Sequence, residues 1–430
     1  MNYYSLNKQA PNTSFKNAVI KGLAPDKGLY FPEHIEPLPK AFFNSIDSLS
    51  YSEIAFEAIK QFVSPDIPNH ILKTIVDETL SFDFPIVKLN NHISTLELFH
   101  GPTMAFKDVG ARFMARCLGY FNKNNNNKVT VLVATSGDTG GAVANGFLGV
   151  EGVNVVILYP SGKVSDIQEK QLTTLGQNIT ALEVNGTFDD CQAMVKTAFL
   201  DKSLTDNMQL TSANSINVAR WLPQLFYFMF AYKQLHNKHK DIVFSVPSGN
   251  FGNICAGMMA QQLGLPIRHF IASNNANNVV TRYLTTQLYT PKPSVQTISN
   301  AMDVGAPSNF IRIQEIYKNR FDVLKNNLFS YSFSDDDTKE AMLEIYKKFN
   351  YVADPHGAVG YLGCQAYLKE NTNAHCVFLE TAHPTKFLDV VETVIKEKQA
   401  LPEQIQQVIG KEKQAVSIAT YDDLKRFLHT

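Results

Sequence analysis

Between residues 129 and 379 the chain repeats one phrase: a short, nearly unbroken apolar run, a loop of small polar residues, then apolar positions at helical spacing. Residues 129–134 lead into Thr135-Ser136-Gly137-Asp138-Thr139-Gly140-Gly141 and a helical pattern over 142–148. Residues 153–158 end at Tyr159-Pro160-Ser161-Gly162, and 242–246 lead into Pro247-Ser248-Gly249-Asn250-Phe251-Gly252-Asn253 and a helical pattern over 254–263. Residues 269–272 and 376–379 repeat the theme. Near-continuous apolar runs, without alternation at every second position, are what strands covered on both faces look like. The pattern therefore predicts an α/β fold, a parallel sheet with helices on both sides. Ligands of such sheets sit at the carboxyl ends of the strands, so three polar, Gly-bearing loops are placed to face one crevice.

Before this region the pattern is mixed, with helical spacing over 53–63 and turn chemistry in Gly22-Leu23-Ala24-Pro25-Asp26-Lys27-Gly28. The reading is a helical N-terminal extension over 1–85, an α/β core over 86–395 and a helical tail over 396–430. The length of 430 residues and 44% hydrophobic content support two or three domains. The one low-complexity patch, Asn124 to Asn127, reads as an exposed loop tip. With 39 Lys+Arg against 40 Asp+Glu there is no field to attract nucleic acid or an anionic membrane, so a charged ligand must be met by a local site. Five cysteines without a CxxC pair read as reduced thiols of a cytoplasmic chain. Residues 1–7 lack signal-peptide character, and the most apolar run, 221–232, is too short to span a bilayer.

Four segments carry candidate chemistry. The loop 248–253 offers bare N–H groups at a helix start, which suits a phosphate; a glycine-rich turn packing its helix on its strand fits equally. The loop 135–140 is either a nest for a carboxylate or a helix cap built on Asp138 or Thr139. In Glu97-Leu98-Phe99-His100-Gly101-Pro102-Thr103-Met104-Ala105-Phe106-Lys107-Asp108, Lys107 enters the first turn of a helix beside an aromatic ring. Helix dipole and desolvation both depress a lysine pKa there, which makes it a nucleophile candidate; a solvated surface lysine is the alternative. Ser212-Ala213-Asn214-Ser215-Ile216-Asn217-Val218-Ala219-Arg220 is either an anion fork or a surface loop capping the helix that follows. The sequence has no P-loop, no Gly-x-Gly-x-x-Gly, no Gly-x-Ser-x-Gly and no metal-ligand spacing, so a metal centre is not expected.

Taken in order, His100 to Asp108, Thr135 to Gly140, Ser212 to Asn217, Pro247 to Gly252 and Thr381-Ala382-His383-Pro384 resemble the blocks of the threonine synthase family, pyridoxal 5′-phosphate enzymes of fold type II. Asn300-Ala301-Met302-Asp303-Val304, Lys27-Gly28-Leu29-Tyr30-Phe31-Pro32 and Tyr159-Pro160-Ser161-Gly162-Lys163 extend the match from about residue 15 to about residue 390. The resemblance implies two parallel-sheet lobes, the smaller at roughly 105–230. It makes Lys107 the lysine that carries the cofactor as a Schiff base, Gly249, Asn250, Phe251, Gly252 and Asn253 its phosphate loop, and Thr381 the hydroxyl at the pyridine nitrogen. By the same resemblance Asp138 would stand where related enzymes place an amide or acid near the cofactor 3′-oxygen. Thr135, Ser136, Gly137 and Thr139 would hold the substrate carboxylate, and Asn214, Ser215, Asn217 and Arg220 the substrate phosphate. Asn253, Glu380 and Thr385 depart from the family pattern.

The implied reaction converts O-phospho-L-homoserine and water to L-threonine and phosphate, with Lys107 as base and no nucleic-acid or membrane partner. Two rival readings stand beside it, and the first shares the motifs. One is a phospholyase or dehydratase that releases 2-oxobutyrate; the other is a non-catalytic paralogue, which would be expected to lose Lys107 or the glycines at 249 and 252.

Overall fold

The computed structural model describes residues 1–123, 128–237 and 241–430. Two sheets dominate it. The smaller runs Val416–Ile418, Ile179–Val184, Val153–Pro160, Val129–Ala134, Gln209–Thr211, all parallel. The larger runs Leu328–Ser332, His269–Asn274, Ile242–Pro247, His375–Glu380, Ile93–Glu97, Ile86–Lys88, parallel except for the last strand. Ile242–Pro247 and His375–Glu380 are buried at every position, as strands covered on both faces must be. The two-lobed α/β expectation is therefore what the chain adopts.

The strand over 129–134 falls where its apolar run predicts, whereas the helix expected from 142 begins at Asp138. Small polar residues conceal that first turn, which Gly137, at φ 137°, turns the chain into. The strands Ile179–Val184, Gln209–Thr211, Leu328–Ser332 and Ile93–Glu97 have no apolar stretch longer than two residues, so the pattern does not mark them. The expected loop tip at Asn124 to Asn127 lies outside the described residues.

Both ends differ from a purely helical reading. The first 85 residues hold helices, among them Tyr51–Val63, opened by a Ser50/Glu53 capping box, and Asn69–Thr79. They also hold a three-stranded antiparallel sheet of Thr13–Ser14, Asn2–Ser5 and Tyr30–Pro32. Tyr3, Phe15, Ile54 and Phe62 join the same hydrophobic core as Val131, Phe228 and Phe244, so this segment is continuous with the core. The tail over 396–430 carries two helices, Glu403–Ile409 and Tyr421–His429, and between them Val416–Ile418, an edge strand of the smaller sheet. Three residues are too few for a periodicity, and pairing with Leu182 to Val184 decides the matter. No helix among the described residues is long and apolar enough to cross a membrane.

Candidate active site

Lys107 is the first residue of the helix Lys107–Asn122. The turn before it is tight: Met104 is left-handed at φ 56°, and its N–H donates to Gly101 O at 3.0 Å. Asp108 fixes the turn by accepting from Thr103 N–H at 2.9 Å and Thr103 Oγ1 at 2.5 Å. A Cβ on Gly101 would meet the Asp108 carboxyl at 2.4 Å, so only glycine fits there. The turn pairs with the end of the last core strand: Phe106 N–H donates to Thr381 O at 2.8 Å and His383 N–H to Met104 O at 3.0 Å. Lys107 and Thr381, far apart in sequence, are thereby held side by side. The Thr381 hydroxyl has no partner among the described residues.

The Lys107 ammonium lies 4.8 Å from the Phe106 ring centroid and 3.8 Å from Asp138 Oδ2. Burial lowers its pKa; Asp138 opposes this, while Lys386 and Arg220 lower it further. Asp138 also receives Lys386 Nζ at 2.8 Å and Gln168 Nε2 at 3.0 Å on Oδ1. Burial alone would raise its carboxyl, but Lys386 and Lys107 outweigh it and hold the group well below the carboxylate range. Lys386 is 0% exposed in its side chain and reaches Thr103 O at 2.8 Å, which ties it to the lysine turn.

The loop 135–140 divides its labour. Thr135 is buried, and its hydroxyl accepts from the N–H groups of Gly137 (3.0 Å) and Gly140 (2.8 Å) and donates to Gly137 O (3.2 Å). All its hydrogen-bonding positions are taken, so it shapes the loop rather than facing a ligand. Gly137 is obligatory twice over, by its φ and because a Cβ would lie 2.4 Å from the Gln168 side chain. The hydroxyls of Ser136 and Thr139 and the N–H groups of Ser136, Asp138 and Thr139 have no partner among the described residues. They sit, half-buried, at the N-terminus of the helix Asp138–Phe147, a concave arrangement suited to a carboxylate.

The second glycine loop is more open still. Residues 249, 250, 251, 252 and 253 present five consecutive N–H groups with no acceptor among the described residues, at the start of the helix Gly252–Gln262. Phe251 supplies the left-handed turn at φ 60°, and the Asn253 amide is occupied, donating to Pro247 O at 2.9 Å and accepting Ile254 N–H at 2.9 Å. Such a row of unsatisfied donors on a helix dipole fits a phosphate without any basic side chain. With the free Thr381 hydroxyl and the pKa-lowered Lys107, the residues present fit a phosphorylated carbonyl cofactor.

Of the segment 212–220, Ser215 reaches this loop: its hydroxyl accepts Asn250 Nδ2 at 2.9 Å and Asn309 Nδ2 at 3.2 Å. Asn214 is half-buried, its Oδ1 orphaned and its Nδ2 3.5 Å from Ala134 O. Asn217 does not face a ligand; it donates to Val19 O at 2.8 Å and Ser212 O at 3.2 Å and accepts Ala219 N–H at 3.0 Å. Arg220 is buried beneath the Lys107 helix, one nitrogen on Ala213 O at 2.5 Å, its pKa pulled down to about 10 by desolvation. Its Nη2 has no acceptor among the described residues. Sequence reasoning missed Lys386, Gln168 and the fully buried Arg312, whose guanidinium holds the Ser215 and Ile216 carbonyls (3.2 and 2.7 Å) and Tyr30 O (3.0 Å). Lys386 follows a motif already singled out; nothing in the sequence marks Arg312.

Comparison with known proteins matches this arrangement. Family models for a pyridoxal-phosphate dependent enzyme, a threonine synthase N terminus and a threonine synthase C-terminal region match residues 85–381, 2–80 and 357–428. Threonine synthase of Buchnera aphidicola from Acyrthosiphon pisum is 44% identical over 94% of both chains. The crystal structure of Escherichia coli threonine synthase superimposes with a TM-score of 0.93 at 38% identity, covering 100% of this chain and 99% of that one. The Brucella melitensis structure, described as PLP-bound, gives 0.92 at 31%, covering 100% and 98%. On the lysine turn, the two helix-start loops and this end-to-end similarity, the chain belongs to the threonine synthase family of pyridoxal-phosphate-dependent lyases.

Proposed function

We propose that the enzyme converts O-phospho-L-homoserine and water to L-threonine and phosphate, with Lys107 moving the protons. The observation that carries this reading is the Lys107 amine, lowered in pKa by burial and set 3.8 Å from Asp138 at a helix start. Lys107 would hold pyridoxal phosphate covalently, residues 249–253 its phosphate, Thr381 its ring nitrogen and Asp138 its 3′-oxygen side. When bound, that cofactor supplies an electron sink conjugated to the substrate Cα.

The neutral amine of Lys107 takes the Cα proton, and neutrality is what burial favours. Ser136, Gly137 and Thr139 at the helix start bind the substrate carboxylate and fix its orientation. Asn214, Ser215 and Arg220 Nη2 face the γ-phosphate, whose departure as a dianion gains most from donors already in place. Thr135 and Asn217 support these two loops without touching substrate. A cytoplasmic location fits the five cysteines, all unpaired and buried.

The test is incubation of purified protein with pyridoxal phosphate and O-phosphohomoserine, following phosphate, threonine and 2-oxobutyrate together. Threonine should match phosphate mole for mole; 2-oxobutyrate in its place would make the enzyme a phospholyase. Borohydride should fix the cofactor on Lys107, and threonine formed by Lys107→Ala at the wild-type rate would overturn the assignment.

A further inference from the structure

Beside Thr381 lies a buried pair of carboxyl groups whose hydrogen-bond donors do not add up. Glu380 and Asp354 are both 0% exposed. Glu380 Oε1 accepts the Asp354 N–H at 2.5 Å. Asp354 Oδ1 accepts twice from His356, from its backbone N–H at 2.6 Å and from ring Nδ1 at 2.5 Å. The ring tautomer follows from its other side: His356 Nε2 accepts the Ala301 N–H at 3.2 Å, so the ring proton is on Nδ1. Glu380 Oε2 and Asp354 Oδ2 remain, both buried and without a donor, on side chains that interact with each other. The start of the helix Pro355–Leu368 presses on the pair so closely that a Cβ on Gly357 would lie 1.6 Å from Glu380 Oε2.

Two ionised carboxylates do not share a dry site, and a proton on one of them supplies the donor that the two orphaned oxygens lack. We propose that Glu380 is the protonated member, donating to Asp354, and that Glu380, Asp354 and His356 form a positioning chain for the cofactor site. The chain ends at the Ala301 N–H, and the backbone there is the wall of the phosphate loop: a Cβ on Gly249 would meet Met302 Cα at 2.7 Å and Ala301 O at 2.9 Å. The choice of Glu380 agrees with its surroundings. Burial pushes its carboxyl well above the usual range, and the charges of Asp354 and Glu97 add to this. Of the other titratable groups, His356 touches the pair, and Tyr351, His383 and Lys107 feel its charge. The shared proton also limits the pair to one negative charge next to Thr381, so the ring nitrogen meets a hydroxyl rather than a dianion. That last consequence rests on the cofactor placement proposed above; the proton does not.

Glu380→Gln keeps a donor at this position without the titration and is the conservative variant; Glu380→Ala removes it. The infrared difference between wild type and Glu380→Gln at pH 7 should show a protonated-carboxyl band in the wild type. Glu380 binds its proton more tightly folded than unfolded, so wild-type stability falls as pH rises above the unfolded value, and the Tm advantage of Glu380→Gln should widen from pH 5 to pH 9. Apoenzyme of Glu380→Ala should bind pyridoxal phosphate roughly tenfold or more weakly, the scale of a buried acceptor left without a donor, while Glu380→Gln restores the affinity. No protonated-carboxyl band, a constant Tm difference, or a Glu380→Gln chain that fails to fold would overturn the shared proton. The band present with cofactor affinity unmoved in Glu380→Ala would refute the positioning role and leave the proton standing.

Discussion

Lys386 Nζ and Lys107 Nζ share the carboxylate of Asp138, the first at 2.8 Å from Oδ1 and the second at 3.8 Å from Oδ2. Two cations meet one anion in a buried site, and the closer cation is the one with 0% side-chain exposure. Asp138 is thus anchored mainly by Lys386 and Gln168, which leaves Lys107 less than a full counter-ion. Burial, together with that imbalance, lowers the pKa of the Lys107 amine, the direction a nucleophile needs.

Opposite effects follow from removing the two partners. Lys386 lowers the Lys107 pKa and Asp138 raises it. Lys386→Met should therefore move the pH midpoint for pyridoxal-phosphate uptake by the apoenzyme upward, and Asp138→Asn should move it downward. Absorbance of the bound cofactor, followed against time across the pH range, gives both midpoints. Shifts of the same sign would break the argument.

Close packing separates the two glycines of the phosphate loop. An alanine methyl at 249 would run into backbone, at 2.7 Å from Met302 Cα, whereas at 252 it would meet Asn309 Nδ2 at 3.3 Å and Ser215 Cβ at 3.4 Å. Overpacking against backbone costs about 1–3 kcal/mol, so Gly249→Ala should weaken pyridoxal-phosphate binding about tenfold or more and Gly252→Ala much less. Titration of each apoenzyme with the cofactor ranks them.

His383 predicts acid sensitivity. Its imidazole is pushed down to about 4, chiefly by desolvation, from an ordinary value of 6.5. A histidine held neutral in the fold stabilises it above its unfolded pKa, and that contribution is lost as pH falls from 6.5 toward 4, at a rate of at most about 1.4 kcal/mol per pH unit. The Tm of His383→Asn should fall less steeply than wild type across that window. Parallel curves would show that acid sensitivity arises elsewhere.

These residues also mark what a sequence discloses. The run 129–134, apolar but for Thr130, and the strand over 242–247, apolar but for Ser245, were legible because burial on both faces leaves a nearly continuous apolar signature. Lys107 and the loop 249–253 were legible because a helix start imposes local chemistry. Lys386 and Arg312 were not, since a buried cation is defined by what lies across from it, here Asp138 and the carbonyls of residues 30, 215 and 216. The same holds for Thr135 and Asn217: a polar residue in a motif reads as a ligand contact until its hydrogen bonds are counted.

Thr381 tests the ring-nitrogen placement. Its carbonyl accepts Phe106 N–H at 2.8 Å, which holds its backbone beside the lysine turn, and its hydroxyl has no partner among the described residues. A hydroxyl does not require a protonated pyridine nitrogen, whereas a carboxylate favours one. Thr381→Asp should shift the absorbance of the bound cofactor and raise the ratio of 2-oxobutyrate to threonine. An unchanged spectrum and ratio would place the hydroxyl away from the ring nitrogen.

The pair Ser215 and Asn217 separates binding from scaffolding within three residues. Ser215 Oγ is half-buried and shared between Asn250 and Asn309, facing the side where the substrate phosphate is proposed to lie. Asn217 is 0% exposed and ties this segment to Val19 of the N-terminal helix Phe15–Lys21, a link doubled by Thr211 Oγ1 on the same carbonyl at 3.0 Å. Ser215→Ala should raise KM for O-phosphohomoserine with little change in Tm. Asn217→Ala removes donors from two buried carbonyls and an acceptor from the Ala219 N–H, and should cost about 1–3 kcal/mol of stability. Its maximal rate, lost on warming, should then recover as temperature is lowered and the fold re-forms, with KM near the wild-type value, which Ser215→Ala would not show. If Asn217→Ala kept the wild-type Tm and lost only substrate affinity, Asn217 would be a ligand contact after all, reached by a rearrangement that releases Val19.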